Sequence, residues 1–373
     1  MTKIVIALGG NALGNTPAEQ IDAVQETAKA IQPLLTSDNQ VVICHGNGPQ
    51  VGMINLAFED GHEADETPLM PLAECTAMSQ GYIGYHLQNA LDRTKNVKQK
   101  TKNDEQCGET ASGSDSENNQ SLPSAICHLP SDKPITNQPP LATTVITRCL
   151  VDADDPGFLN PTKPIGSFYS KEQAEQFSQD TGYRFIEDSG RGWRRVVASP
   201  KPLAVLEIET VKQLLDQGQT VIAGGGGGIP VVEITGAAEA SLDNRTASDS
   251  TSSADNHQSP ITNYVRADAV IDKDFCAELI AELIDADYLF ILTAVEKVAI
   301  NFGQHDQKWL DRVTVKDLRK YAAEGHFAPG SMLPKVEAAL KFVESGRGNA
   351  VITSLEKAAE ALAGRAGTVV VSD

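Results

Sequence analysis

Three glycine-rich segments each follow a stretch that is typical of a buried strand. They are Gly9-Gly10-Asn11, His45-Gly46-Asn47-Gly48 and the five glycines from Gly224 to Gly228. Glycine lets the backbone turn sharply after a strand, so that N–H groups and the start of the next helix can approach a phosphate. A single turn of this kind is as often purely structural, but three in one chain favour a phosphate-bearing ligand.

The spacing within these segments excludes one common phosphate site and weakens another. Residues 9–16 approximate the P-loop pattern, but Asn15 stands where that loop requires a lysine. The second and third segments start like a dinucleotide fingerprint, yet Val51 and Ile229 occupy the position of its third glycine. A nicotinamide-dependent oxidoreductase is therefore a weak alternative.

Three lysines have surroundings that favour contact with a phosphoryl group. Lys163 and Lys335 are each next to a proline and near a glycine, which fixes the direction of the backbone. Lys273 lies between two aspartates, Asp272 and Asp274. Phosphoryl transfer needs cations that neutralise the moving group and a frame that aligns donor and acceptor. A lysine taken singly is usually a solvated surface residue, but these three are the candidate catalytic cations.

The elements that must position these residues alternate between strand and helix, which predicts a parallel or mostly parallel sheet with helices on its faces. Residues 3–8 have the pattern of a buried strand, and residues 16–19 have that of a capping box with proline at the first helical position. Apolar residues then recur at helical spacing as far as Leu35, and residues 41–44 restore a buried strand. These elements form one βαβ unit.

The same alternation returns in the second half of the chain. The pattern predicts helices at 207–217, 274–286, 335–346 and 354–362, and strands at 220–223, 288–292, 350–352 and 368–371. Another helix is expected to start near Thr314. Lys335 then lies in the first turn of its helix, where the helix end and the ammonium group together favour an anion.

Two polar segments interrupt this alternation. Residues 98–140 and 236–263 are rich in Ser, Asn, Asp, Gln, Thr and Pro and have few large apolar side chains. Such segments bury too little apolar surface to offset the entropy of ordering. We expect both to be exposed, mobile insertions.

Composition excludes several classes of function. The formal net charge is −19 at pH 7, so a nucleic-acid or anionic-membrane binder is not expected. The first residues predict a strand rather than a secretory signal, and no apolar run reaches the ~20 residues that span a bilayer. The six cysteines form no CxxC pair, so we expect a cytoplasmic protein with reduced thiols and assign no protein metal ligand.

Motifs spread over nearly the whole chain, apart from the two polar segments, carry a family resemblance. The matching stretches are residues 7–12, 45–52, 80–85, 160–166, 190–197, 225–231, 270–274 and 330–335. With these stretches in this order, the chain resembles the carbamate kinases of the amino acid kinase family. The resemblance implies an open three-layer αβα sandwich with a small protruding subdomain at about 152–197. It also implies an acceptor lobe at 1–219 and a nucleotide lobe at 220–373.

The resemblance implies an activity as well. Such enzymes transfer a phosphoryl group reversibly between ATP and carbamate, giving ADP and carbamoyl phosphate, and we expect this chain to run toward ATP formation. ATP and ADP are substrates, and Mg²⁺ is expected to arrive with the nucleotide. The resemblance further implies a cytoplasmic homodimer with a place in arginine metabolism.

The resemblance also assigns roles to residues. The catalytic set would be Lys163, Lys273, Asp274 and Lys335. The carbamoyl phosphate would be held by Gly9, Gly10, Asn11, Gly46, Asn47 and Gly48. The nucleotide would contact Gly225, Gly226, Gly227, Gly228, Asp272, Thr293 and Val295, the last two within a segment, 293–298, that borders the adenosine.

Three points stay open at the level of sequence. Ala7 stands where many amino acid kinases carry a lysine, and Lys163 would supply that cation, which favours carbamate as the acceptor. A sibling kinase for another small carboxylate or phosphate is the nearest alternative, and a non-catalytic nucleotide-binding protein is a third. His45 is expected to be satisfied by turn backbone rather than by ligand, and Arg194 and Arg195 are at least as well suited to structural ion pairs as to phosphate.

Overall fold

A computed structural model of the chain describes residues 1–9, 13, 16–64, 66–106, 141–188, 190–234 and 263–373. Its strands are β1 (Thr2–Leu8), β2 (Asn39–His45), β3 (Ala142–Thr144), β4 (Arg148–Val151), β5 (Lys163–Tyr169), β6 (Arg184–Glu187), β7 (Trp193–Val197), β8 (Pro202–Val205), β9 (Thr220–Ile222), β10 (Ile229–Ile234), β11 (Asn263–Arg266), β12 (Tyr288–Thr293), β13 (Val298–Ile300), β14 (Lys308–Leu310), β15 (Arg312–Thr314), β16 (Asn349–Ser354) and β17 (Thr368–Val371). Its helices are α1 (Pro17–Ile31), α2 (Gly48–Glu63), α3 (Leu72–Gln106), α4 (Pro156–Leu159), α5 (Lys171–Thr181), α6 (Ile208–Asp216), α7 (Lys273–Leu283), α8 (Val315–Ala323), α9 (Met332–Glu344) and α10 (Ala358–Leu362).

An eight-stranded sheet forms the centre, in the order β15-β17-β16-β12-β1-β2-β9-β3. Its neighbouring strands are parallel except for β16 and β17. In this register Leu8 lies beside both His45 and Leu292, and Ile43 lies beside Ile222. The carboxyl ends of β1, β2, β9 and β12 therefore meet at one edge of the sheet, where open α/β sheets bind their ligands.

Helices cover both faces of this sheet. Along β1, Ile4, Ile6 and Leu8 point into a core shared with α1, α3 and α10. Val5 and Ala7 point to the other face, where the core includes residues of α6, α7, α8 and α9. Successive strand residues point to opposite faces, so one apolar strand serves both cores. The three-layer αβα arrangement is confirmed.

The local signals in the sequence form the caps that they predict. The Thr16 side chain accepts a hydrogen bond from the Glu19 N–H, and the Glu19 carboxylate accepts one from the Thr16 N–H, each at 3.3 Å. At α8, the Thr314 side chain accepts from the Asp317 N–H. These bonds satisfy N–H groups that the first turn of a helix leaves without a partner.

A second, smaller unit lies within residues 152–197. It contains the three-stranded sheet β5-β7-β6 and helix α5, and the rings of Tyr169, Phe177 and Phe185 pack together between them. Helix α2 approaches β5 closely, since a Cβ added to Gly52 would lie 3.5 Å from Gly166 Cα. The division of the chain into lobes at residue 219 stays a prediction, and the central sheet contains strands from both sides of that residue.

The first polar segment begins within a helix. Helix α3 continues to Gln106, so residues 98–106 are helical, and the expectation that both polar segments are exposed, mobile insertions stays a prediction. Residues 107–140 and 235–262 lie outside the described residues, and Asn263 begins β11. In the part of the chain that the structure describes, no helix has the length and apolarity to cross a bilayer.

Candidate active site

The turns after β1 and β2, which the resemblance assigns to the carbamoyl phosphate, lie at this edge of the sheet. The Gly9 N–H donates to the Leu292 carbonyl, and the Gly46 N–H donates to the Leu8 carbonyl, each at 3.1 Å. These two N–H groups are therefore already bonded to neighbouring strands and are not available to a phosphate in this arrangement. Gly10 and Asn11 lie outside the described residues.

Helix α2 starts at this turn. Asn47 precedes it and is buried, and its Nδ2 donates to Ser79 Oγ at 2.8 Å. The Asn47 side chain does not cap the helix, so the first N–H groups of α2 are free of a side-chain cap. Among the described residues, a Cβ added to Gly48 would meet nothing within 4 Å, and Gly48 begins a helix N-terminus, where anions bind.

The glycine turn after β9 packs between the turn after β2 and the start of α7. Four of its glycines have positive φ, which residues with a side chain rarely adopt. The φ angles are 66° at Gly224, 65° at Gly226, 90° at Gly227 and 86° at Gly228. A Cβ at Gly225 would lie 2.6 Å from His45 Nε2, and one at Gly226 or Gly227 would overlap Asn47 or the Ile271 carbonyl. The prediction of a nucleotide contact at Gly225–Gly228 stays a prediction, and these residues are buried.

Gln80 fixes this turn, and sequence reasoning did not give it a role. Its Nε2 donates to the Gly225 carbonyl at 2.9 Å and to the Thr147 carbonyl at 3.1 Å. Its Oε1 accepts from the Thr147 N–H at 2.8 Å. The only signal in the sequence was that Gln80 begins one of the stretches that carry the resemblance.

The three candidate lysines meet at two aspartates. Lys163 Nζ lies 2.6 Å from Asp272 Oδ2, and Lys335 Nζ lies 3.0 Å from Asp274 Oδ2. Lys273 pairs with the other oxygen of Asp274. Lys163 belongs to β5, Lys273 begins α7 and Lys335 lies in the first turn of α9, so three separate elements bring positive charge to one place.

Asp272 and Asp274 have different surroundings. Asp272 caps α7, with its Oδ1 accepting from the Asp274 N–H at 3.0 Å. Asp274 is 2% exposed. Burial opposes its ionisation, but the ammonium groups of Lys273 and Lys335 outweigh burial and hold the pKa of Asp274 below its ordinary value. Asp274 therefore remains charged and fixes both lysines.

The segment 293–298, which the resemblance places beside the adenosine, begins at the end of β12. Thr293 is paired with Ser354 of β16, and its Cα would lie 3.9 Å from a Cβ at Gly9. Val295 lies in the loop between β12 and β13 and is half-buried. Both residues are thus near the edge at which the glycine turns meet.

The remaining polar residues that the sequence left open have protein partners. Burial lowers the pKa of His45 to about 4, and its Nδ1 lies 2.8 Å from the Gly46 carbonyl, so His45 is a neutral ring that donates to backbone. Arg194 pairs with Asp188 at 3.1 Å. Arg195 lies 3.6 Å from carboxylates on two other elements, Glu59 and Asp268, and its guanidinium stacks 3.4 Å above the ring of Tyr183.

Comparisons with known proteins agree on one family. A profile described as the amino acid kinase family matches residues 173–354. The chain is similar to a carbamate kinase-like protein of Escherichia coli, with 46% identity over 99% of this chain and 98% of that protein. It is also similar to a carbamate kinase of Staphylococcus haemolyticus, with 43% identity over 99% of each. A solved carbamate kinase of Giardia lamblia bound to AMP-PNP superposes with a TM-score of 0.76 and 33% identity, covering 100% of this chain and 99% of that one.

Proposed function

We propose that this chain, which belongs to the amino acid kinase family and within it to the carbamate kinases, catalyses reversible phosphoryl transfer between ATP and carbamate. The family predicted from the sequence is confirmed. The products of the forward reaction are ADP and carbamoyl phosphate.

The observation that carries this proposal is the meeting of three ammonium groups at the edge of the sheet. In the direction of ATP formation, a terminal oxygen of ADP attacks phosphorus, and the bond from phosphorus to the carbamoyl oxygen breaks. Carbamate leaves as an anion and the attacking oxygen is already an anion, so this step needs no proton transfer. The chemistry needs cations and alignment rather than a general base. The site matches this need, because His45 is neutral and buried while Lys163, Lys273 and Lys335 converge.

The lysines divide into a mobile one and two fixed ones. Asp274 holds Lys273 and Lys335, which would neutralise charge on the nucleotide phosphates and the phosphoryl group in transfer. Lys163 reaches from the small sheet to Asp272, and its side chain is 34% exposed. The oxygens of carbamoyl phosphate would compete with Asp272 for Lys163, so that the ion pair present without substrate is exchanged for a contact with the reacting group.

The glycine segments would frame the two substrates. Gly48 and the N-terminus of α2 are suited to the carbamoyl phosphate, together with Asn47. Gly9 and Gly46 would contribute through the close turns that they form rather than through their N–H groups, which are bonded to strands. Gly10 and Asn11 complete the proposed set. The nucleotide would lie over the Gly225–Gly228 turn with Thr293 and Val295 beside it, and Mg²⁺ would be bound as part of the nucleotide substrate.

The finer parts of the proposal concern setting and direction. We place the enzyme in the cytoplasm as a homodimer in arginine metabolism, running toward ATP. Carbamoyl phosphate is a mixed anhydride, whose cleavage favours transfer to ADP. Light scattering on the purified chain tests the dimer, and removal of Mg²⁺ with EDTA, which we expect to abolish turnover, tests the metal requirement.

The assay that tests the function measures ATP formed from carbamoyl phosphate and Mg·ADP. We expect turnover in the wild type, a large loss in Lys335→Met, and no loss in Lys320→Met, an exposed lysine on α8. Acetyl phosphate serves as an alternative donor. Turnover with acetyl phosphate but not with carbamoyl phosphate would assign the chain to a sibling kinase, and binding of Mg·ADP without any turnover would leave a nucleotide-binding protein.

A further inference from the structure

Among the described residues, helices α7 and α9 are joined by three ionic contacts, of which the proposed site uses one. The first is Asp274–Lys335. The second joins Glu278 Oε2 to Lys341 Nζ at 2.7 Å. Glu278 follows Asp274 by four residues, which is about one turn or ~6 Å along the same face of α7. One turn further on, Glu282 Oε2 lies 3.9 Å from the same ammonium group.

Glu278 is an unusual choice for its location. Its side chain is 0% exposed, whereas that of Lys341 is 50% exposed. Its Oε1 is buried and, among the described residues, has no hydrogen-bond partner. An apolar side chain of the same size often stabilises a protein as well as or better than a buried ion pair. Packing alone therefore gives no reason for a carboxylate here.

We propose that Glu278 and Lys341 are a positioning pair that holds α7 and α9 in a fixed relative position. In this position Lys335 forms its ion pair with Asp274, and Asp274 forms its ion pair with Lys273. This inference rests on the proposed function, because it assigns a purpose to the arrangement of the catalytic lysines. Neither Glu278 nor Lys341 touches substrate in this scheme. Both act through Asp274 and Lys335, one helical turn away.

The charge on Glu278 makes this pair sensitive to pH. Burial, opposed by Lys341 and assisted by the neighbouring Glu282 carboxylate, raises the pKa of Glu278 to about 7. Above pH 7 Glu278 is ionised and attracts Lys341. Below pH 7 it is protonated, can donate to Glu282 and attracts Lys341 less. The active arrangement is thus favoured on the alkaline side.

The other elements packed against α7 do not change this balance. They are β1, β2, β8, β12 and the Gly225–Gly227 turn. Of the described residues, Lys341 and Glu282 supply the charges that act on Glu278. On β1, Lys3 directs its ammonium group to the Ile284 carbonyl at 2.9 Å, which is beyond the carboxyl end of α7.

The test compares Glu278→Gln with Glu337→Gln, a change at an exposed position of α9. The rate of ATP formation and the affinity for Mg·ADP are measured from pH 5.5 to 8.5. We expect wild-type turnover to rise through a midpoint near pH 7. In Glu278→Gln that inflection disappears, turnover at pH 8 falls about tenfold, and Mg·ADP binds severalfold more weakly. Glu337→Gln should match the wild type throughout.

Two further variants separate positioning from simple stability. Lys341→Arg keeps the charge and should retain the wild-type profile, whereas Lys341→Met should behave like Glu278→Gln. The free energy of unfolding gives a check on ionisation. Folding raises the pKa of Glu278 from 4.5 to about 7, so the native state holds the proton more tightly. Wild-type stability should therefore fall from pH 4.5 to 7, and this fall should be smaller in Glu278→Gln.

The outcomes distinguish this inference from the proposed function. If the inflection near pH 7 persists in Glu278→Gln at full turnover, or if the variants lose only thermal stability, the positioning role is wrong. If the wild type binds Mg·ADP but forms no ATP from carbamoyl phosphate, the assignment of carbamate and carbamoyl phosphate as substrates is wrong. The role of Glu278 is then decided by the pH dependence of Mg·ADP affinity alone.

Discussion

Lys163→Ala gives the sharpest test of how the small sheet contributes to catalysis. The backbone of Lys163 is fixed in β5 opposite Val197 of β7, and its ammonium group crosses to Asp272 at 2.6 Å. If Lys163 contacts the phosphoryl group only as transfer proceeds, its loss should lower turnover without lowering nucleotide affinity. The reason is that an interaction made mainly in the transition state appears in kcat.

The structure separates the expected effect on catalysis from that on stability. The Lys163 side chain is 34% exposed, so solvent screens its ion pair and the loss should cost about 1 kcal/mol or less in the free energy of unfolding. Removal of one charged or polar donor from a developing anion usually lowers kcat by about 100- to 1,000-fold, or ~3–4 kcal/mol of barrier. The loss in kcat should therefore exceed what the small loss of stability can explain.

The assay is ATP formation from carbamoyl phosphate and Mg·ADP, with Mg·ADP affinity measured separately by calorimetry. Lys171→Ala is the matched control, because Lys171 lies in α5 of the same unit and is 62% exposed. We expect Mg·ADP affinity in Lys163→Ala to stay within about threefold of the wild type, or ~0.7 kcal/mol. Folded Lys163→Ala protein with nearly wild-type turnover would remove Lys163 from the mechanism, and equal losses of turnover and nucleotide affinity would place it on the nucleotide instead.

Three further changes test the frame of the site. Asp272→Ala removes the cap of α7 and should lower the free energy of unfolding by about 1 kcal/mol. Asp272→Asn keeps a capping side chain, so its free energy of unfolding should fall by less. Urea denaturation that finds equal losses would contradict the capping role. Gly226→Ala should lower the free energy of unfolding by more than Gly218→Ala does. Both glycines have positive φ, but only a Cβ at Gly226 would overlap Asn47. Urea denaturation that finds equal losses would show that the overlap with Asn47 does not matter. Arg195→Met removes the stacking on Tyr183 and the pairing with Glu59, and should lower the free energy of unfolding by about 1–2 kcal/mol. Arg195→Lys should restore only part of this, because lysine cannot stack in the same way. Urea denaturation of the two variants measures the difference, and equal losses would contradict the role of stacking.

Local structure was predictable wherever one short segment carries its own signal. The capping box at Thr16–Glu19 and the buried strand after it formed as expected, because both depend on contacts within a few residues. Helix α9 begins at Met332, three residues before the predicted start. Element boundaries depend on tertiary contacts as well as on propensity, so such shifts are expected.

The convergence of charges was not predictable from spacing. Lys163 and Asp272 are 109 residues apart, and Asp274 and Lys335 are 61 apart. Periodicity places each residue on its own element but does not say which elements meet. Only the family resemblance linked these residues before the structure brought them together. The bonded states of the Gly9 and Gly46 N–H groups were likewise invisible, since they depend on which strand lies beside each turn.

In the proposed site, the glycine turn after β9 would let the donor and acceptor sides lie close together. A Cβ added to Gly226 would overlap Asn47, and one added to Gly227 would overlap the Ile271 carbonyl; Ile271 directly precedes the Asp272–Asp274 segment. A side chain at Gly226 or Gly227 would force these two walls apart. Phosphoryl transfer loses rate steeply when donor and acceptor are misplaced by about 1 Å. In the proposed reaction, the run of glycines would therefore contribute through the spacing that it permits, in addition to any contact with a phosphate.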